Sequence, residues 1–216
     1  MKFKKAIALI LILAMVFSLS ACGGKKEGDS KTLVIAIQDE IEGTDVQQIG
    51  WDNVVHQLLY SPLVTFSEDL STINPGFVES YTESEDGKEI TFVLPKDAKF
   101  SNGDALDAEA VKASFERMKE ISQYSGDIEA VQDIQVVDER TFKFILSEPA
   151  PYMWASLGSC FSGIVDTAVA EEVGNDEFNR NAVSNGPFMV KEWKAGSEIV
   201  LSLIHISEPT RPEPIS

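Results

Sequence analysis

Cysteine is almost absent from these 216 residues: Cys22 and Cys160 are the only two. Two thiols cannot staple a disulfide-rich scaffold, so the chain has to fold on its hydrophobic content. Histidine is equally scarce, with His56 and His205 alone. No metal-ligand cluster is visible in the pattern, no cofactor is called for, and a hydrolytic triad has almost no base to draw on. The chain therefore does not read as an enzyme. Basic residues are few as well, 18 against 35 acidic ones, for a net charge of -17. Without a cationic surface to neutralise phosphates, nucleic acid is excluded as a partner. Long apolar runs are missing too: the longest, Ala6 to Phe17, is too short to span a bilayer as a helix. What is present is 44% hydrophobic residues, enough for one large domain or one lobe of something bigger.

The leader carries its own meaning. Lys2, Lys4 and Lys5 precede the apolar run, the charge-then-apolar order of an export signal. Leu19-Ser20-Ala21-Cys22 resembles a bacterial lipobox, in which small residues admit the peptidase and the Cys22 thiol takes a diacylglycerol. That resemblance implies removal of residues 1–21 and a mature protein held to membrane lipid through Cys22, outside the cytoplasm. Acyl chains add about 0.8 kcal/mol of membrane affinity per buried CH₂, so two or three chains make a lasting tether. Residues 22–31, with Gly23 to Ser30 reading GGKKEGDS, form a flexible linker. Cys160 is then left without a partner. Among apolar neighbours from Leu157 to Ile164 it reads as a buried small hydrophobe with no base to activate it.

The lobe itself runs over residues 32–200. Thr32 to Ile37 is an apolar, β-branched run, expected as a strand buried on both faces. Asn53 to Tyr60 carries Val54, Val55, Leu58 and Leu59 at helical spacing, with His56 expected on the helix surface. Ile90 to Leu94 alternates as a half-buried strand, and Ser101-Asn102-Gly103-Asp104 marks a turn. Asp107 is placed to cap a helix over Ala108 to Glu120, whose Val111, Phe115 and Met118 share one face. Ile134 to Val137 and Thr141 to Leu146 read as a hairpin with Phe142, Phe144 and Leu146 on one side. Thr167 to Val173 is a short helix. Phe188 to Trp193 is a strand that turns at Ala195-Gly196 into Glu198 to Val200.

Residues 201–216 do not fit this lobe. Leu201 to Arg211 (LSLIHISEPTR) resembles the in-frame translation of a transposon-end sequencing adapter, and Pro209, Pro212 and Pro214 allow no further strand. The tail is expected to be non-native, with the natural reading frame stopping near Val200 and the prolines ending the last strand there. His205 goes with it. Without the three lysines of the leader and the arginine and two glutamates of this tail, 14 basic and 33 acidic residues remain, a balance of -19.

The stretch Gly76 to Lys119 is similar to the segment that marks the extracytoplasmic solute-binding proteins of peptide, dipeptide and nickel ABC importers, family 5. The matching elements are the Asp86-Gly87 turn, the strand Ile90 to Leu94, Lys99-Phe100-Ser101-Asn102-Gly103-Asp104, and the acid-rich helix start. Leu59 to Val64, Leu146 to Tyr152 and Ser184-Asn185-Gly186-Pro187-Phe188 extend the match over nearly all of Thr32 to Val200. Pro95 and Val46 depart from it, standing where the family usually has a basic residue and a proline. The resemblance implies an α/β, periplasmic-binding-protein-like (type II) N-terminal lobe with a mixed sheet and packed helices, its second lobe missing. It further implies a short peptide ligand held extended between two lobes through main-chain hydrogen bonds, and delivery to ABC permease subunits. The segment after the first strand, Glu40-Ile41-Glu42, would line the cleft, while the acid that holds the peptide's amino terminus would lie in the missing lobe. Nickel complexes, haem or oligosaccharides are the alternative ligands within the family, with Trp51, Tyr60 and Trp154 open to sugar stacking. A truncated fragment without function is the remaining alternative.

Overall fold

The computed structural model describes residues 32–204. The leader, Cys22, the linker over 22–31 and residues 205–216 lie outside the described residues. Residues 32–38 belong to a unit separate from the body that begins at Asp39. The strand expected over Thr32 to Ile37 does not form: the segment has no ladder, and Leu33 and Val34 are 81% and 88% exposed. A β-branched run expresses only a fit to a pleated, half-buried surface. Among the described residues no segment completes a ladder with it, and composition alone does not make a strand.

The body holds two hydrophobic cores. The first is built on β1 (Val64–Phe66), β2 (Ile73–Pro75), β3 (Ser80–Glu83), β4 (Glu89–Val93), α2 (Ala108–Ile121), β5 (Val131–Val136), β6 (Thr141–Leu146) and α3 (Met153–Leu157). Strands β3, β4, β6 and β5, in that order, form a four-stranded sheet, and β1 pairs with β2; these ladders are all antiparallel. The period-two pattern of β6 sends Phe142, Phe144 and Leu146 into the core, and register pairs Phe92 with Phe142 and Ile90 with Phe144. Ring centroids of Phe92 and Phe142 stack at 5.1 Å, and Phe115 of α2 meets Phe144 edge-on at 5.0 Å. Such pairs add about 0.5–1.5 kcal/mol each beyond their area burial. Helix α2 starts where expected, because Asp107 Oδ1 accepts the Ala110 N–H at 2.8 Å, a cap worth about 1 kcal/mol. Its Val111, Phe115 and Met118 are buried as the helical spacing requires.

The second core gathers Val46, Ile49, Leu59, Tyr60, Val165 and Phe178 with other buried residues. It is framed by α1 (Val54–Leu59), α4 (Thr167–Val173), α5 (Asn175–Phe178) and the antiparallel hairpin of β7 (Phe188–Lys194) with β8 (Glu198–Leu203). Strand β8 does not stop at Val200: Leu201 pairs with Val190 and Leu203 with Phe188. The alternation Leu201-Ser202-Leu203 continues the two-residue period, so the start of the expected tail joins the ladder. Gly186 ties this core to the end of α1. Its N–H donates to Leu59 O at 2.9 Å, and a Cβ there would sit 2.2 Å from that oxygen, so the approach admits no side chain.

Candidate functional site

Glu40-Ile41-Glu42 lead directly into a loop, residues 43–50, that is tied down along its whole length. Five of its N–H groups find fixed acceptors, that of Gln48 on Asp45 O at 2.9 Å. Thr44 N–H donates to Asn179 O at 2.7 Å and Asp45 N–H to Asn179 Oδ1 at 3.0 Å. Gln47 N–H donates to Asp45 Oδ1 at 3.0 Å, and Gly50 N–H to Glu42 Oε2 at 2.8 Å. The carbonyls are held as firmly. Gly43 O accepts from His56 Nε2 at 2.9 Å, Thr44 O from the Tyr60 hydroxyl at 2.9 Å, Ile49 O from Gln123 Nε2 at 2.9 Å, and Gly50 O from the Tyr124 hydroxyl. An irregular segment buried this deeply needs such partners, because an unpaired buried amide or carbonyl costs about 1–3 kcal/mol.

The three residues ahead of the loop differ among themselves. Glu40 is exposed, Ile41 packs half-buried against the second core, and the Glu42 carboxylate closes the loop on Gly50. Their main-chain N–H and C=O groups make no hydrogen bond among the described residues. Among the described residues the segment therefore offers backbone without partners beside a loop whose backbone is held from both ends.

Charge inside the loop is balanced by one arginine. Asp45 is fully buried, and its Oδ2 lies 2.7 Å from Arg117 Nη2 and 2.7 Å from Gln48 Nε2. Nothing in the sequence pattern points to that pair. Arg117 sits among the charged positions of an amphipathic helix, 72 residues from its partner. Asn179, Gln123 and Tyr124 were equally illegible, since each acts through a polar contact that only tertiary folding creates.

His56 is buried, 1% exposed, and not on the helix surface. Asn53 caps α1, and the ring Nδ1 accepts the Asn53 N–H at 3.1 Å, which leaves Nε2–H to donate to Gly43 O. Burial lowers the imidazole pKa, opposed by the Gly43 bond and by the charges of Asp52 and Glu42. The faint signal was Asn53 followed three residues on by a side chain able to reach back, the capping-box spacing. Cys160 is buried as expected, with Sγ 3.5 Å from Asp52 Oδ2. Burial, then the Asp52 charge, pushes its thiol up to about 12, so it is no nucleophile at neutral pH.

The aromatic trio open to sugar stacking does not converge. Tyr60 is buried with its hydroxyl on Thr44, and Trp154 packs in the first core 4.9 Å from Tyr81. Only Trp51 of the three is exposed, beside Gly50. Tyr124 and Phe161 form a tilted ring pair with centroids 4.0 Å apart. A shallow depression lined by Gly174, Asn175, Asp176, Glu177 and Arg180 is open to solvent and does not include Glu40 to Glu42. Among the described residues no cluster of His, Cys, Asp or Glu could hold a metal ion, and no helix is long and apolar enough to cross a membrane.

The family model described as bacterial extracellular solute-binding proteins, family 5 Middle, matches residues 72–203. The chain belongs to that family. Family 5 proteins are solute-binding proteins and not enzymes. The probable D,D-dipeptide-binding periplasmic protein DdpA of Escherichia coli is 37% identical over 154 residues, covering 66% of this chain and 29% of DdpA. The periplasmic oligopeptide-binding protein OppA of Salmonella typhimurium is 28% identical, covering 92% of this chain and 41% of OppA. The chain thus spans less than half the length of these family 5 relatives. Among solved structures, AgaA of A. tumefaciens R10 in complex with agropinic acid superposes with a TM-score of 0.63 at 33% identity, over 69% of this chain and 30% of AgaA. NikZ of Campylobacter jejuni in complex with Ni(L-His) superposes at 0.71 and 24% identity, over 80% of this chain and 35% of NikZ, a likeness of fold alone. The periplasmic-binding-protein fold expected from the sequence is the fold observed, and the family is one of bacterial extracellular solute-binding proteins.

Proposed function

We propose that this protein is the lipid-anchored substrate-binding component of an ABC importer, and that it captures short peptides and hands them to the permease. In this reading residues 32–200 form part of the N-terminal lobe, a second lobe completes the cleft, and Cys22 carries the lipid. One observation carries the ligand class: the main-chain groups of Glu40, Ile41 and Glu42 make no hydrogen bond among the described residues and lie next to a loop too well tied to follow them into another conformation. A peptide backbone added there as a strand gains affinity from amides that every peptide shares, so side chains need only room. DdpA and OppA, named for dipeptide and oligopeptide binding, support the same class. A ligand touching both lobes would stabilise the closed arrangement selectively and close it by a hinge.

Calorimetry on the full-length protein tests this with a panel of di- to pentapeptides, nickel and a β-linked disaccharide serving as controls. Ile41→Pro deletes one main-chain donor and is expected to weaken all peptides alike, by on the order of 1 kcal/mol or more if that donor is buried on binding. Binding of a control alone overturns the peptide class; unchanged peptide affinity in Ile41→Pro overturns the wall. The anchor is tested separately by Cys22→Ala, which should abolish lipid labelling and release the protein from the membrane fraction.

A further inference from the structure

Helix α2 belongs to the first core through Val111, Phe115 and Met118, yet two of its side chains reach into the second. Ser114 Oγ accepts the Val165 N–H at 3.0 Å, and Gln47 Nε2 donates to Ser114 O at 3.0 Å. One turn on, the Arg117 fork spreads over three acceptors on two segments. Nη1 donates to Gln47 Oε1 at 2.6 Å, while Nη2 donates to Asp45 Oδ2 at 2.7 Å and Asn175 Oδ1 at 2.9 Å. The guanidinium also lies 5.4 Å from the ring centroid of Phe178. A planar, rigid fork with one charged and two neutral acceptors fixes orientation as well as distance, which a lysine on a flexible stem cannot do.

We propose that Arg117 is a positioning residue for ligand binding: it holds loop 43–50, and with it the Glu40 to Glu42 backbone, in register with the sheet of the first core. This rests on the cleft reading given above. Ties from Asn179, His56 and Tyr60 come from the second core, while Gln47 to Ser114 O, Gln123 to Ile49 O and Tyr124 to Gly50 O join the loop to α2 and the residues after it. Arg117 adds the one charged tie to α2, and it alone grips Asp45 and Gln47 together. Affinity then depends on a side chain that touches no ligand, acting through Asp45 and Gln47 on the backbone the ligand would pair with.

The test uses the full-length protein with two variants, Arg117→Lys and the paired Arg117→Gln/Asp45→Asn, and with Arg117→Gln as the thermal reference. The pair removes both charges, so neither is left buried alone, and its melting temperature should recover relative to Arg117→Gln. Hydrogen exchange of the Gln47 and Gln48 amides should quicken about tenfold in both variants while the β4 and β6 amides stay as they were. Trialanine, followed by calorimetry, should bind about tenfold more weakly to both, including the thermally recovered pair. A merely structural arginine would let affinity return with stability. Wild-type exchange of the loop amides in Arg117→Lys overturns the proposal, as does wild-type trialanine affinity in the paired variant once its loop amides have loosened. Should wild-type protein bind no peptide of the panel, the ligand class fails, and the exchange rates alone then decide whether Arg117 sets the loop.

Discussion

Replacing His56 by alanine should cost stability in a way that depends on pH. The ring fills a site 1% exposed, accepts the Asn53 N–H and donates to Gly43 O. Truncation leaves one donor and one acceptor unpaired inside the protein, each at about 1–3 kcal/mol, so a loss of roughly 3 kcal/mol is expected before any cavity is counted. The pH arm follows from the lowered pKa of the folded imidazole. Well above pH 7, neither state binds the proton and His56 contributes its full share. As pH falls below the unfolded value of about 6.5, the unfolded chain takes up a proton that the folded one refuses, and stability declines until the folded pKa is passed. The slope in that window is at most about 1.4 kcal/mol per pH unit for one proton. Urea titrations between pH 7.5 and 5.5, above the range where most carboxylates protonate, should show the decline in the wild type and its loss in His56→Ala. An equal pH slope in the two proteins, or a loss below about 1 kcal/mol at pH 7.5, would refute the assignment of a buried neutral imidazole.

Three further outcomes are expected. Phe144→Ala removes a ring that touches Phe92, Phe115 and Phe142 and should lower unfolding free energy by about 3–5 kcal/mol in urea, whereas Phe144→Leu should cost clearly less. Gly186→Ala forces a methyl onto Leu59 O and should lower the thermal midpoint, while alanine at Gly103, where a Cβ meets nothing within 4 Å but φ is +94°, should cost only the backbone strain. The Cys160 thiol, pushed up to about 12, should resist alkylation at pH 8 in the folded protein and react once urea is added; rapid native-state labelling would contradict its burial.

Local pattern was sufficient for the elements whose partners are near in sequence or whose periodicity is strong. The capped amphipathic helix at Asp107, the Phe142-Phe144-Leu146 face and the turn at Gly196 all follow from side-chain period and backbone chemistry, which act over a few residues. The family was legible for the same reason, since its marks lie in contiguous strings such as Lys99 to Asp104 and Ser184 to Phe188. Thr32 to Ile37 marks the limit of that logic: its composition suits a strand, but a strand exists only where another chain segment completes the ladder. Tertiary structure alone decided the burial of His56, the Asp45 and Arg117 pair, and the ties along residues 43–50. Each depends on polar groups far apart in the chain meeting where water is excluded, and no periodicity in a sequence records which distant donor will face which acceptor.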